Sequence, residues 1–288
     1  MNYIEVIEAR KSVRDYREKE AETQVTEEIR NFHDREAKRL VPEIETQLLV
    51  FGAEAKAALE GAAGYSDFLI GAPGYLVLLS KKHPHAGENA GFVMEDVILK
   101  LTDLGLGTCW ITFTDSEKVK TALGIDSVLD VAAIAAFGRA KRARKRIHFN
   151  IVSMSNIDIK AKKQFADPKR SVDDMVYLKT YGNKDGVDEH IGFYGNLLWE
   201  ALYGASLSPS YLNRQPYDFV IGSGKAALIE KDDAFTGKID GDLGLGIAML
   251  HFAGAASDFS ADVKWSLDVA DEGLELPEGC TLRAVCEI

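Results

Sequence analysis

Three groups of residues could do chemistry. The first is Arg10-Lys11-Ser12-Val13-Arg14, with three cations and a hydroxyl in five positions. In an extended segment Arg10, Ser12 and Arg14 project to one side, and forked guanidinium donors with a short hydroxyl between them suit a phosphate monoester. The same residues would also serve as a solvated basic stretch closing a helix. The second group is the run Arg139-Ala140-Lys141-Arg142-Ala143-Arg144-Lys145-Arg146. If extended, it turns Arg144 and Arg146 one way, where they could close on the phosphate held by Arg10 and Arg14; the plainer reading is a charged surface loop. The third is Ser208-Pro209-Ser210-Tyr211-Leu212-Asn213-Arg214-Gln215-Pro216-Tyr217. Its turn formers fix a loop whose backbone and short side chains can hydrogen-bond a planar polar ligand, or simply join a helix to a strand.

Other signals fail on chemical grounds. Gly222-Ser223-Gly224-Lys225-Ala226 lacks both the earlier glycine and the magnesium-binding hydroxyl of a phosphate loop. No GxGxxG opens a strand–helix unit, which disfavours a dinucleotide-binding Rossmann domain. His83 and His85 have no partners at metal-ligand spacing, and His148, His190 and His251 are scattered and read as structural. Ser208 and Ser210 lack a nucleophile elbow, and Cys109 lies in an apolar run as an inert buried thiol. No metal site and no catalytic side chain is assigned.

The elements that must position these groups follow from patterning. The 288 residues are 46% apolar and 27% charged, a globular composition, and the formal net charge of −11 opposes a polyanionic partner. The second basic run contains no aromatic for base stacking, so nucleic acid is excluded. The start Met1-Asn2-Tyr3-Ile4-Glu5 is no signal peptide, no apolar run is of membrane-spanning length, and the three cysteines form no CxxC pair. These features predict a cytoplasmic, reduced, soluble protein. Periodicity predicts a helix over 3–10, helical structure over 27–61 with a break near Leu40 ahead of Pro42, and a doubly buried strand over 75–80. A long helix over 88–104 follows, then strands over 108–112 and 131–137. Residues 156–189 read as a polar connection with little core of its own. Beyond it come helices over 192–205 and 241–256, and strands over 217–221 and 281–286.

Fragments recur between the halves. Arg10-Lys11-Ser12-Val13 is echoed by Lys169-Arg170-Ser171-Val172 at an offset of 159, and Gly91-Phe92-Val93-Met94 by Gly246-Ile247-Ala248-Met249 at 155. Two echoes at nearly one offset point to a duplicated α+β unit, a fused pseudo-dimer. The match of Asp103-Leu104-Gly105-Leu106-Gly107 with Asp242-Leu243-Gly244-Leu245-Gly246 falls out of register and reads as coincidence.

Taken together, these residues resemble a known family. Arg10-Lys11-Ser12-Val13-Arg14 is similar to the phosphate-binding R-R-S-x-R signature of FMN-dependent nitroreductases, and the 208–217 loop resembles their P-S-x-x-N-x-Q-P-W, with Tyr217 in place of Trp. Leu104-Gly105-Leu106-Gly107-Thr108-Cys109-Trp110-Ile111 resembles the segment that passes the flavin ring. In the ordinary family the proline loop closely follows the arginine signature. Here it occurs only in the second half, so the chain resembles the fused, internally duplicated branch. The implied fold is α+β, a nitroreductase-like three-layer sandwich of two fused half-units around a mixed or antiparallel sheet, with halves 1–155 and 156–288.

That resemblance implies one composite FMN site. Arg10, Lys11, Ser12, Arg14, Arg144 and Arg146 would hold the phosphate, Pro209, Ser210 and Asn213 would line the ring, and Thr112 would offer its N–H or hydroxyl near flavin N5. Asp173 stands where a second clamp would need arginine, so no full second site is visible. The implied activity passes hydride from NADH or NADPH through the flavin to a small-molecule acceptor: a nitroaromatic, a quinone or a similar electron-poor compound. The partner is that acceptor, with no nucleic acid and no membrane, and the chain is a monomeric pseudo-dimer or a homodimer. A non-enzymatic flavin-binding or storage protein, or a scaffold that has lost flavin and serves interaction only, are the alternatives.

Overall fold

A computed structural model describes residues 1–18, 23–65, 68–141, 146–153, 156–162, 169–271 and 273–288. The first half runs α1 (Tyr3–Ala9), α2 (Thr23–Arg35), β1 (Thr46–Gly52), α3 (Ala55–Leu59), β2 (Gly74–Ser80), α4 (Ala86–Asp103), β3 (Gly107–Ile111), α5 (Ser116–Leu123) and β4 (Asp130–Gly138). Its antiparallel sheet has the order β1-β2-β4-β3. A hairpin of β5 (Arg146–Ser153) and β6 (Asn156–Lys162) follows. The second half runs α6 (Val172–Met175), β7 (Val176–Leu178), α7 (Val187–Phe193), α8 (Asn196–Ser206), β8 (Tyr217–Gly222), β9 (Lys225–Lys231), α9 (Lys238–Ser257), β10 (Trp265–Leu267) and β11 (Cys280–Glu287). Its sheet, β10-β11-β9-β8-β7, is mixed because β7 pairs parallel with β8. Among the described residues no helix is long and apolar enough to cross a membrane.

The strand over 75–80 is buried on both faces because alternate residues serve different cores. Leu76 and Leu78 pack with Val93, Val97 and Leu101 of α4, whereas Tyr75, Val77 and Leu79 pack with Leu59 of α3 and Val119 of α5. The first half is therefore helix, sheet and helix. Helix α9 is buried along 241–256 and rests on Phe219 and Leu228 of the second sheet. A helix apolar on every side must be enclosed, and α4 supplies the missing cover.

Where α4 and α9 cross, the echo at offset 155 becomes a contact. A Cβ on Gly91 would stand 2.2 Å from the Leu243 carbonyl oxygen, and one on Gly246 would stand 1.9 Å from that of Glu88. Positions 88 and 243 are themselves 155 apart, as are 91 and 246. Each helix thus presents the same patch to the other, the reciprocity of a two-fold interface, here within one chain. Arg283 of β11 ties the two helices together, donating to Glu88 of α4 and, at 3.1 Å, to Asp242 of α9.

Three expectations need correction. Residues 46–52 form β1, not helix: Leu48-Leu49-Val50-Phe51 is β-prone, and pairing with all of β2 outweighs the helical context on either side. The helix over 192–205 is two, because Gly195 adopts φ +67 between α7 and α8. The connection 156–189 is not core-poor, since Val172, Met175, Val176, Leu178 and Val187 all enter the second core. The 222–226 motif, rejected as a phosphate loop, is a hairpin turn with Ser223 and Gly224 at φ 52 and 75.

One buried carboxylate pins the N-terminal elements to α4. Asp96 accepts from the Tyr3 hydroxyl at 2.8 Å and from the Lys38 N–H at 2.7 Å. Burial pushes its carboxyl from 3.8 up to about 6 against those hydrogen bonds. Because the folded value is raised, the contribution of this group to stability is fullest below about pH 4 and is lost as pH climbs through 6. Asp96→Asn should flatten that decline and leave the protein more stable than wild type at pH 8 by up to about 3 kcal/mol. Urea unfolding at several pH values measures it.

Candidate functional site

Arg10 ends α1: its N–H caps Val6 O at 2.9 Å, and its backbone turns extended. Ser12 then bridges Thr108 in parallel, and the Val13 N–H donates to Thr108 O at 2.8 Å, adding the segment to the sheet edge beside β3. Gly107 permits this approach, since a Cβ there would lie 2.5 Å from the Val13 side chain. The segment is therefore extended, the condition on which a shared side for Arg10, Ser12 and Arg14 depends. The Arg10 side chain turns inward, only 6% exposed, with Nε 3.6 Å from Glu95 Oε1. Its Nε and Nη1 have no hydrogen-bond partner, and neither has the buried Thr108 Oγ1. Buried donors in that state are rare and cost about 1–3 kcal/mol each.

Lys11, Ser12 and Arg14 are exposed. Arg10, Ser12 and Arg14 converge on Cys109, whose thiol is pushed up by burial and drawn partly back by Arg14, Arg10 and a Ser12 hydrogen bond. The raised thiol fits the unreactive cysteine expected there. The second basic run begins alongside the first, since the Arg17 N–H donates to Arg139 O at 2.8 Å and the Lys141 N–H to Asp15 O at 3.0 Å. Arg144 lies outside the described residues, as does the side chain of Arg146.

Thr112, just past β3, meets the second half. Its hydroxyl donates to the Asp240 carboxylate of α9 at 2.9 and 3.0 Å. Burial pushes the Asp240 carboxyl up, against that hydrogen bond. Beside it the Tyr65 ring lies 6.2 Å from that of Tyr211, in the proline loop. Thr112 thus meets the second half at Asp240, and the proline loop meets the first half through Tyr211 against Tyr65. Among the described residues no group of three or more His, Cys, Asp or Glu could hold a metal ion.

The loop is held in a costly shape. Leu212, Asn213 and Gln215 adopt φ of 47, 57 and 46, a region that non-glycine residues seldom enter and that concentrates at functional sites. Ser210 Oγ accepts from the Gln215 N–H at 2.8 Å, and Lys169 Nζ donates to Ser208 O at 2.9 Å and to Asn213 Oδ1. Gln215, buried, donates to Ser206 O at 2.7 Å and accepts from the Arg170 N–H at 3.0 Å. Gln215→Leu would leave both groups unpaired, so a loss of about 2–4 kcal/mol is expected in urea unfolding.

The echoed segment Lys169-Arg170-Ser171-Val172 is employed differently. Both terminal nitrogens of Arg170 are occupied, by Gln215 O, Tyr217 O, Asp174 O and the Asp218 carboxylate. Ser171 is closed in a capping box with Asp174. It is a brace where Arg10-Lys11-Ser12 is an open cradle.

Sequence reasoning gave no role to Glu95, Asp240 and Tyr65, placed Trp110 only within the flavin-flanking segment and read His251 as structural. Glu95 accepts from Trp110 Nε1 at 2.7 Å and meets His251 Nε2 at 3.0 Å, and His251 Nδ1 reaches Gly204 O at 3.1 Å. Through these two side chains Arg10 is linked to α8, whose end opens the proline loop. A glutamate inside the apolar face of α4 was the one available signal.

Residues 2–256 match the protein family described as "Putative TM nitroreductase". Among solved structures, one named a "putative nitroreductase" from Thermotoga maritima MSB8 is 19% identical with a TM-score of 0.60, covering 100% of this chain and 94% of that one. A nitroreductase family protein from Clostridium novyi NT is 23% identical with a TM-score of 0.43, covering 49% and 86%. An FMN-dependent nitroreductase from Clostridium difficile R20291 is 21% identical with a TM-score of 0.42, covering 48% and 88%. No curated protein matches the chain significantly. The Thermotoga match carries the fold, nitroreductase-like along its whole length. With the family match spanning residues 2–256 of 288, well over half of its length, the chain belongs to this nitroreductase family.

Proposed function

We propose that the chain binds one FMN at the seam between its halves and works as an NAD(P)H-dependent oxidoreductase on electron-poor acceptors. The observation that carries this reading is the pair of unpartnered, buried N–H groups on Arg10, in a cradle with Thr108 Oγ1 and the exposed Ser12 and Arg14. A forked cation with free donors beside two hydroxyls suits a phosphate. The cofactor, when bound, supplies the hydride relay between nicotinamide and acceptor.

The protein's own residues do the rest. Arg10, Lys11, Ser12 and Arg14 hold the phosphate, and Pro209, Ser210 and Asn213 form the opposing wall in a loop already fixed by Lys169 and Gln215, so little ordering cost remains on binding. Thr112, fixed by Asp240, stands at the ring edge. Tyr65 and Tyr211 bracket the entrance, where their flat faces exclude water and receive a planar acceptor. Arg170 is consumed as a brace, so one flavin binds per chain. The internal α4–α9 contact already provides a two-fold interface, so a monomer suffices.

The test is anaerobic reduction of the FMN-loaded protein by NADH and by NADPH, followed by a nitroaromatic or a quinone. Bleaching of the flavin by either nucleotide and recovery on adding acceptor are expected. FMN binding without reduction by either nucleotide would leave a storage protein instead.

A further inference from the structure

Two fully buried ionisable side chains at the centre of the molecule have no part in the reading above. Glu95 of α4 and His251 of α9 lie 3.0 Å apart, Oε1 to Nε2, each with no solvent exposure. Their other contacts fix where protons must be. His251 Nδ1 is 3.1 Å from the Gly204 carbonyl. A carbonyl only accepts, so Nδ1 carries a hydrogen. A neutral imidazole of that tautomer turns a lone pair at Nε2 toward Glu95, and a carboxylate turns lone pairs back. Two bare acceptors 3.0 Å apart with no solvent exposure repel, so the contact is a hydrogen bond only with one further proton between them. Trp110 Nε1 is committed to the other oxygen, at 2.7 Å. Arg10 Nε, at 3.6 Å, is too far to donate but close enough to feel the charge.

We infer that Glu95 and His251 share one proton across the internal two-fold, forming a neutral couple that leaves the Arg10 charge free for an anion. This rests on the reading of Arg10 as a phosphate ligand. Without that proton an uncompensated Glu95 carboxylate would face Arg10, and the buried cluster would carry no net charge in place of one positive charge, leaving less attraction for a phosphate. The charged and titratable groups nearby do not supply the missing proton. Asp96 on α4 is committed to Tyr3 and Lys38, Tyr203 on α8 donates to Glu8 of α1, and Cys109 on β3 faces Arg10, Ser12 and Arg14. Glu95 and His251 are positioning residues, acting only through Arg10.

The couple is tested in two independent measurements on the full-length protein. In FMN titrations at one pH, Glu95→Gln keeps the shape and its amide can donate to His251 Nε2. A neutral couple loses no charge in that exchange, so the variant should bind FMN and riboflavin within about threefold of wild type. FMN binding tightened about tenfold or more with riboflavin unchanged would reveal a bare Glu95 carboxylate facing Arg10 in wild type and would overturn the inference. Independently of any flavin, 1H and 15N NMR of the imidazole should show a proton on His251 Nδ1 and a second, strongly deshielded proton in the Nε2–Glu95 contact, and an Nε2 without that hydrogen bond would overturn the couple. If wild type binds no FMN, the cofactor assignment fails and the imidazole spectrum still decides the couple.

Discussion

Gly246→Ala should cost more than about 4 kcal/mol and leave little folded protein. The added carbon would stand 1.9 Å from the Glu88 carbonyl oxygen and 2.8 Å from the Phe92 nitrogen, both backbone atoms of α4 that no rotamer change can move aside. The reciprocal Gly91→Ala, at 2.2 Å from the Leu243 carbonyl oxygen, should behave alike. Separating the helices to admit either methyl would uncover the apolar length of α9 and disturb the seam on which the site depends. Gly244→Ala is the control. It lies in the same buried helix with nothing within 4 Å of its Cβ position, so the gain in helix propensity, up to about 1 kcal/mol, should leave stability unchanged or improved. Thermal unfolding of the three variants measures the contrast, and equal losses at 244 and 246 would contradict the close crossing.

Arg10→Ala should weaken FMN binding about a hundredfold while riboflavin binding changes little. A charged donor to a phosphate contributes about 1.5–3 kcal/mol, and Arg10 offers two unpartnered N–H groups. Glu95 keeps Trp110 and His251 as partners, so the variant should fold. Arg10→Lys retains a charge without the planar fork and should fall between the two. Fluorescence titration with FMN and riboflavin gives the ratio directly. An equal loss for both ligands would place Arg10 away from the phosphate.

Much of this molecule is legible in its sequence, for reasons that can be named. The fully apolar run at 75–80 announces a strand covered on both sides, and the Gly-Leu-Gly stop fixes the end of α4. The Gly91 and Gly246 echoes mark the crossing itself, because only glycine allows those backbones to touch. Strand β1 was hidden because its partner lies more than twenty residues on, and local periodicity carries no record of non-local pairing. The proline loop was recognisable by its turn residues. Its bracing by Lys169 and Arg170 was not, since nothing local ties a cation at 169 or 170 to carbonyls nearly forty or more residues later. The pairing of Glu95 with His251 was missed for the same reason. Glu95, beside Asp96, and His251 each read as a polar residue in a largely apolar helix, and their pairing is a contact 156 positions apart.

The most direct measurement is the stoichiometry of FMN bound by the purified full-length chain, from flavin absorbance against protein concentration with the released chromophore identified by mass. One FMN per chain is predicted, from an open cradle at Arg10 and a closed brace at Arg170. Failure to bind FMN, or binding of two per chain, would contradict the single composite site.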